Sequence, residues 1–126
     1  MAGLNRWQGI GNLTEDSELR VTAGGQSLLR FRIACSEKYK NRDGDPQKRV
    51  EYVTCIAWGP RAEALKWLSK GMLVYVDGGL RSSSYETRTG EKRYKTEVSV
   101  DNLQLLNNGA KPEEQQEARD ADDLPF

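Results

Sequence analysis

Ser27-Leu28-Leu29-Arg30-Phe31-Arg32-Ile33-Ala34-Cys35-Ser36 decides the fold. Leu29, Phe31, Ile33 and Cys35 fall at every second position, and Arg30, Arg32 and Ser36 take the alternate parity. A two-residue period belongs to a half-buried β-strand, whose successive side chains leave opposite faces. The polar parity is basic, so the solvent face of this strand carries positive charge.

The same period returns over residues 50–58. Val53, Cys55 and Ala57 share one parity, and Tyr52, Thr54, Ile56 and Trp58 share the other. Between the two strands, residues 37–49 are rich in Lys, Arg, Asp and Gly and read as a loop. Upstream, residues 6–13 form a first strand in which Gly9 and Gly11 mark a bend or a close backbone approach. A polar stretch follows it and closes at Gly24-Gly25. Downstream, Gly59-Pro60 opens a helix and Gly71 ends it, with Ala64, Leu65 and Leu68 as its apolar stripe. Residues 72–84 read as a strand with Val74 and Val76 opposite Leu73, Tyr75 and Asp77. Thr89-Gly90 marks a hairpin tip. Residues 94–106 return with Val98, Val100 and Leu103 inward. Three strands, one helix and two strands give an all-β chain, a five-stranded Greek-key barrel of the OB type with one short helix. A small sandwich would share the pattern. The domain spans residues 1–106. Residues 107–119 are polar, lack aromatics and read as a disordered linker before an acidic tip at 120–126.

At 126 residues the chain makes one domain. No apolar run is long enough to span a bilayer, and the N-terminus lacks a signal-peptide pattern, so a cytoplasmic location is expected. Cys35 and Cys55 lie in strand-like segments without a CxxC motif and read as buried reduced thiols. The chain has no His and no phosphate-cradling Gly-Lys-Ser/Thr loop, and its carboxylates are not paired. No catalytic residue, metal site or cofactor is therefore expected.

Charge is unevenly distributed. The whole chain holds 19 basic and 19 acidic residues, yet residues 108–126 hold two basic and six acidic ones, a net −4. The remaining body carries seventeen against thirteen, a net +4. A basic body suits a polyanionic ligand. Tyr39 sits between Lys38 and Lys40, Tyr52 and Trp58 share the outer parity of their strand, and Tyr85 lies between Arg81 and Arg88. Rings interleaved with cations on an outer face are what a binder of single strands needs, since unpaired bases stack on the rings and cations follow the phosphates. The phosphate candidates are Arg6, Arg30, Arg32, Lys40, Arg42, Lys48, Arg49, Lys70, Arg81 and Arg88. Trp7, Trp67, Tyr75 and Tyr94 read instead as core or interface packing.

The tip Asp120-Ala121-Asp122-Asp123-Leu124-Pro125-Phe126 has too little apolar surface to collapse on itself. It reads as a peptide ligand, with Leu124 and Phe126 as anchors, Pro125 as a stiffener, and Asp120, Asp122 and Asp123 seeking a basic rim.

These segments together resemble bacterial and phage single-stranded DNA-binding proteins over nearly the whole chain. The resemblance is carried by Asn5-Arg6, Gly11-Asn12-Leu13, Phe31 to Glu37, Trp58-Gly59, Leu68-Ser69-Lys70-Gly71, Val74 to Arg81, Arg93 to Val98 and Asp123-Leu124-Pro125-Phe126. It implies an OB fold assembled as a homotetramer that wraps single-stranded DNA in replication, recombination and repair. It also implies that Tyr39, Tyr52, Trp58 and Tyr85 are the stacking positions, and that replication and repair proteins are recruited through the tip. Members often have Trp where Tyr39, Tyr52 and Tyr85 stand, and Phe where Trp58 stands. The short linker and the run Ser82-Ser83-Ser84 depart from the pattern and suit a phage- or plasmid-encoded member. Competing readings are an OB-fold RNA binder and a replication-accessory scaffold with weak DNA binding.

Overall fold

The computed structural model describes residues 2–108. The expected linker beyond Asn108 and the tip at 120–126 lie outside the described residues. Six strands and one helix follow in order: β1 (Trp7–Leu13), β2 (Glu18–Val21), β3 (Ser27–Lys40), β4 (Pro46–Trp58), α1 (Pro60–Ala64), β5 (Leu73–Glu86) and β6 (Lys92–Asn107). Strands β1, β5, β6, β4 and β3 lie side by side in that order, and β1 pairs again with β3. The sheet therefore closes into the expected five-stranded OB barrel, and closure removes most of the free edge an open sheet would present.

The inward parity is the one the alternation dictates. Leu29, Phe31 and Ile33 of β3, Cys55 and Ala57 of β4, Val74 and Val76 of β5, and Val98 and Val100 of β6 are buried together. Cys35, Val53 and Leu103 pack against this core. Each fully buried Leu, Ile or Val stabilises the fold by about 1.5–3 kcal/mol, so these strands are committed to one register. Both thiols are free; burial raises the pKa of the Cys35 thiol and pushes that of Cys55 up to about 12, which keeps Cys55 protonated and unreactive.

Three expectations change. The polar stretch after β1 contains a strand, β2, which pairs with β3 from Glu18↔Arg30 to Val21↔Ser27. All four of its residues are exposed, so no burial pattern announces it. Residues 37–49 are not a loop. The β3–β4 pairing continues without interruption from Leu28↔Trp58 to Lys40↔Pro46, and only residues 41–45 turn. The helix stops at Ala64 instead of running to Gly71, and the chain reaches β5 through turns. The aromatics expected in the core or at an interface do not all lie in the core. Trp7 packs against the core, whereas Trp67 and Tyr94 are exposed in this chain.

Three turns share one geometry. Residues 22–26, 41–45 and 87–91 each bond the first N–H to the last carbonyl and the fourth N–H to the first carbonyl. In each, the fourth residue is a glycine with φ of 83° or 84° (Gly25, Gly44 and Gly90), which supplies the left-handed step of a bulged hairpin turn. Thr22, Asn41 and Thr87 accept the last N–H of their turn through the side-chain oxygen.

Candidate nucleic-acid interface

Closing the barrel aims one parity of β3 and β4 outward as a continuous wall. Arg30 and Arg32 of β3 stand opposite Ile56 and Thr54 of β4. Tyr52 is exposed on this parity, while Ile56 is buried and Trp58 half-buried at the barrel end. The Nε1–H of Trp58 is buried and has no hydrogen-bond partner among the described residues. An unsatisfied buried donor costs about 1–3 kcal/mol.

The β5–β6 hairpin extends the wall on the other side. Tyr85 pairs with Arg93, Ser83 with Lys95 and Arg81 with Glu97, all on the parity opposite to buried Val98. Tyr85, Arg81 and Lys95 therefore share the outward face with Tyr52 and Arg32. Glu97 is buried on that face, with Lys95 Nζ 3.8 Å and Arg30 Nε 4.0 Å from its carboxylate. A buried carboxylate needs such compensation, and Lys95 and the half-exposed Arg30 place positive charge beside Glu97.

The predicted residues are not all gathered on this wall. Tyr39 shares the parity of Leu29, Phe31 and Ile33, the opposite face of the β3–β4 hairpin from Tyr52. It is exposed because the hairpin has by then left the barrel. Arg49 lies over its ring at 5.2 Å, and Arg32 lies over the ring of Tyr52 at 4.7 Å. Lys40 and Lys48 are exposed on the Tyr52 parity, and Arg42 and Arg88 occupy the second position of the two distal turns. Lys70 follows the helical turns, where its backbone N–H donates to Asp16 Oδ1 at 2.8 Å. It therefore sits with the β1–β2 connection.

Arg6 is not on the wall. Its guanidinium donates to both carboxylate oxygens of Asp77, Nη2 to Oδ2 at 2.6 Å and Nε to Oδ1 at 3.2 Å, on the β1–β5 side of the barrel. Tyr75 Oη donates to the same carboxylate at 3.3 Å. The hydrogen bond from Arg6 holds the Asp77 carboxyl below the usual carboxylate range against the opposing effect of burial, and Asp77 in turn raises the pKa of Arg6. This charge is spent on an internal fork.

Sequence reasoning missed Lys38 and Lys95, which occupy the outward parity beside Tyr52 and Tyr85. Carrying the strand alternation through residues 37–49 would have found Lys38.

An OB barrel whose outward wall carries exposed rings among Arg and Lys defines the class as a nucleic-acid-binding type of domain. The family model described as the single-strand binding protein family matches residues 4–106. The chain belongs to this family. It is 41% identical over 111 residues to Single-stranded DNA-binding protein 1 of Chlorobaculum tepidum, covering 86% of this chain and 67% of that protein. It is 36% identical over 98 residues to Single-stranded DNA-binding protein 3 of Streptococcus agalactiae, covering 77% and 70%. The fold superposes on the Plasmodium falciparum SSB in its complex with single-stranded DNA, with a TM-score of 0.77 at 22% identity, covering 85% of this chain and 98% of that one.

Proposed function

We propose that this protein binds single-stranded DNA with little sequence preference, stacking bases on Tyr52, Trp58 and Tyr85 while phosphates run past the flanking Lys and Arg side chains. The observation that carries this reading is the shared outward parity of Tyr52 on β4 and Tyr85 on β5, with Lys95 on the intervening strand β6 and Arg32 and Arg81 on the same face. Stacking accepts any base because every base has a π-face, and duplex DNA hides those faces. Tyr39 engages the strand where it wraps around the edge of the β3–β4 hairpin. Replication, recombination and repair are the settings that expose such strands, and the cytoplasm is where we place them.

A homotetramer and recruitment of replication and repair proteins by Asp120, Asp122, Asp123, Leu124, Pro125 and Phe126 complete the proposal. They are supported by membership of the family and by the acidic, apolar-tipped sequence. No chemistry is assigned: the role is binding.

Titration of oligo(dT) against intrinsic Trp fluorescence tests the reading, with quenching of Trp58 expected and far weaker binding to a duplex of equal length. Equal affinity for the duplex would refute the stacking mechanism. Removal of Asp120–Phe126 should abolish partner recruitment and leave DNA affinity unchanged or slightly raised at low salt, because a competing anion is lost. A large fall in DNA affinity would instead assign those residues to the DNA site.

A further inference from the structure

Two of the proposed stacking rings are each already faced by a guanidinium, Tyr52 by Arg32 at 4.7 Å and Tyr39 by Arg49 at 5.2 Å. The pairs are built alike. Tyr52 is registered with Ala34, and Arg32 lies two residues away on the partner strand; Tyr39 is registered with Gln47, and Arg49 again lies two residues away. In both cases the arginine is the member nearer the barrel, since Arg32 stands opposite Thr54 and Arg49 opposite Glu37. One pair occupies each face of the same hairpin. Neither arginine forms an ion pair among the described residues.

We infer that Arg32 and Arg49 are positioning residues that back the rings of Tyr52 and Tyr39, leaving each ring a single open face turned toward the hairpin tip. The inference rests on the stacking reading and adds a division of labour among the cations. A planar guanidinium lying on a ring excludes a base from that side. It also fixes the ring before a base arrives, so less side-chain freedom is lost on binding. The charge then acts through the ring rather than on a phosphate. Tyr85 provides the contrast, because no Arg or Lys lies over its ring among the described residues.

The two roles for Arg32 give opposite salt behaviour. A phosphate contact contributes about 0.7 to the slope of log K against log salt for a single strand, whereas a ring support contributes nothing to it. The test uses the full chain, oligo(dT) and a salt series with four variants: Tyr52→Ala, Arg32→Met, the double variant and Arg32→Lys. All positions are exposed, and thermal melting checks that the variants fold. Tyr52→Ala is expected to weaken binding by about five-fold or more. Arg32→Met is expected to weaken it by about two- to five-fold with an unchanged slope. The double variant should bind no more weakly than Tyr52→Ala alone, since the arginine acts through the ring. Arg32→Lys should lose affinity despite keeping its charge. Losses that multiply in the double variant, together with a slope flattened by about 0.7, would make Arg32 a phosphate contact and overturn the inference. Parental binding by Arg32→Met beside a weakened Tyr52→Ala would also overturn it while leaving the stacking reading intact. Parental binding by Tyr52→Ala would remove both.

Discussion

The two hairpins that rise from the barrel are of similar length and end in the same turn, yet they leave the barrel differently. The β3–β4 hairpin keeps one register from Leu28↔Trp58 to Lys40↔Pro46, so it is a straight continuation of the wall. The β5–β6 hairpin breaks register between Asp77 and Gly78, where Asp77 pairs with Asn102 and Gly78 with Val100. The extra residue, Asp101, bends and twists the strand and so sets the direction of the whole arm. The straight arm carries a backed ring on each face, and the re-aimed arm carries Tyr85 unbacked. One arm is therefore oriented by its ladder, and the other by a local irregularity that a single side chain can disturb.

That vulnerability gives the largest expected effect. A Cβ at Gly78 would lie 2.0 Å from the carbonyl oxygen of Ser99, which is backbone and cannot yield. Gly78→Ala should cost roughly 3 kcal/mol or more, read by thermal or denaturant unfolding. A Cβ at Gly79 would meet nothing closer than 3.5 Å, so Gly79→Ala should unfold close to the parent. Equal stability of the two variants would show that the backbone around the bulge can yield to a Cβ.

Next come the rings. Trp58→Ala should weaken binding of a single-stranded oligonucleotide by about 1–3 kcal/mol, and Trp58→Phe by much less. Tyr85→Ala should lose about 1 kcal/mol, at the lower end of that range, because no cation pre-orients its ring. A greater loss at Tyr85 than at Trp58 would invert the ranking of wall over arm. Smaller still, Arg42→Ala and Arg88→Ala should each flatten the salt slope by about 0.7 if both turns reach phosphates. A change at one turn alone would show that only that arm touches the backbone.

The smallest effect concerns acid. The Asp77 carboxyl is held below its ordinary range by Arg6, so its contribution to stability is present above the unfolded carboxylate pKa and is lost as pH falls through the folded value. Asp77→Asn should narrow the gap in melting temperature between neutral and acidic pH. An unchanged gap would mean that the fork adds nothing to the β1–β5 side.

Legibility followed burial. Val53, Cys55 and Ala57, and Val98 with Val100, were readable because water exclusion imposes alternation on the sequence. The arm at residues 36–50 is just as regular a ladder, but beyond the barrel it excludes no water, so its Lys and Arg residues imitate a loop. Strand β2 was hidden for the same reason. The Arg6–Asp77 fork joins residues 71 positions apart and leaves no periodic trace. Tyr52 and Trp58 could be placed from parity, while Tyr39 was named from its flanking lysines and the family resemblance, and its face waited on the register of its arm.

The barrel closes through two narrow joins, Asn12↔Ala34 with Leu13↔Ile33 and Cys55↔Val98 with Ile56↔Ser99. Every other junction around the barrel has a longer ladder. The molecule is thus two slabs, β2-β3-β4 and β1-β5-β6, hinged along two thin seams. The slabs carry different parts of the outward wall, Tyr52 on one and Tyr85 on the other. Local opening draws on the least cross-linked parts of a fold, so amide exchange should be faster at the seams than within either slab. A strand of DNA laid across both slabs would then act as a clasp, and its binding should appear as slowed exchange at residues 55–56 and 98–99, the seam it bridges.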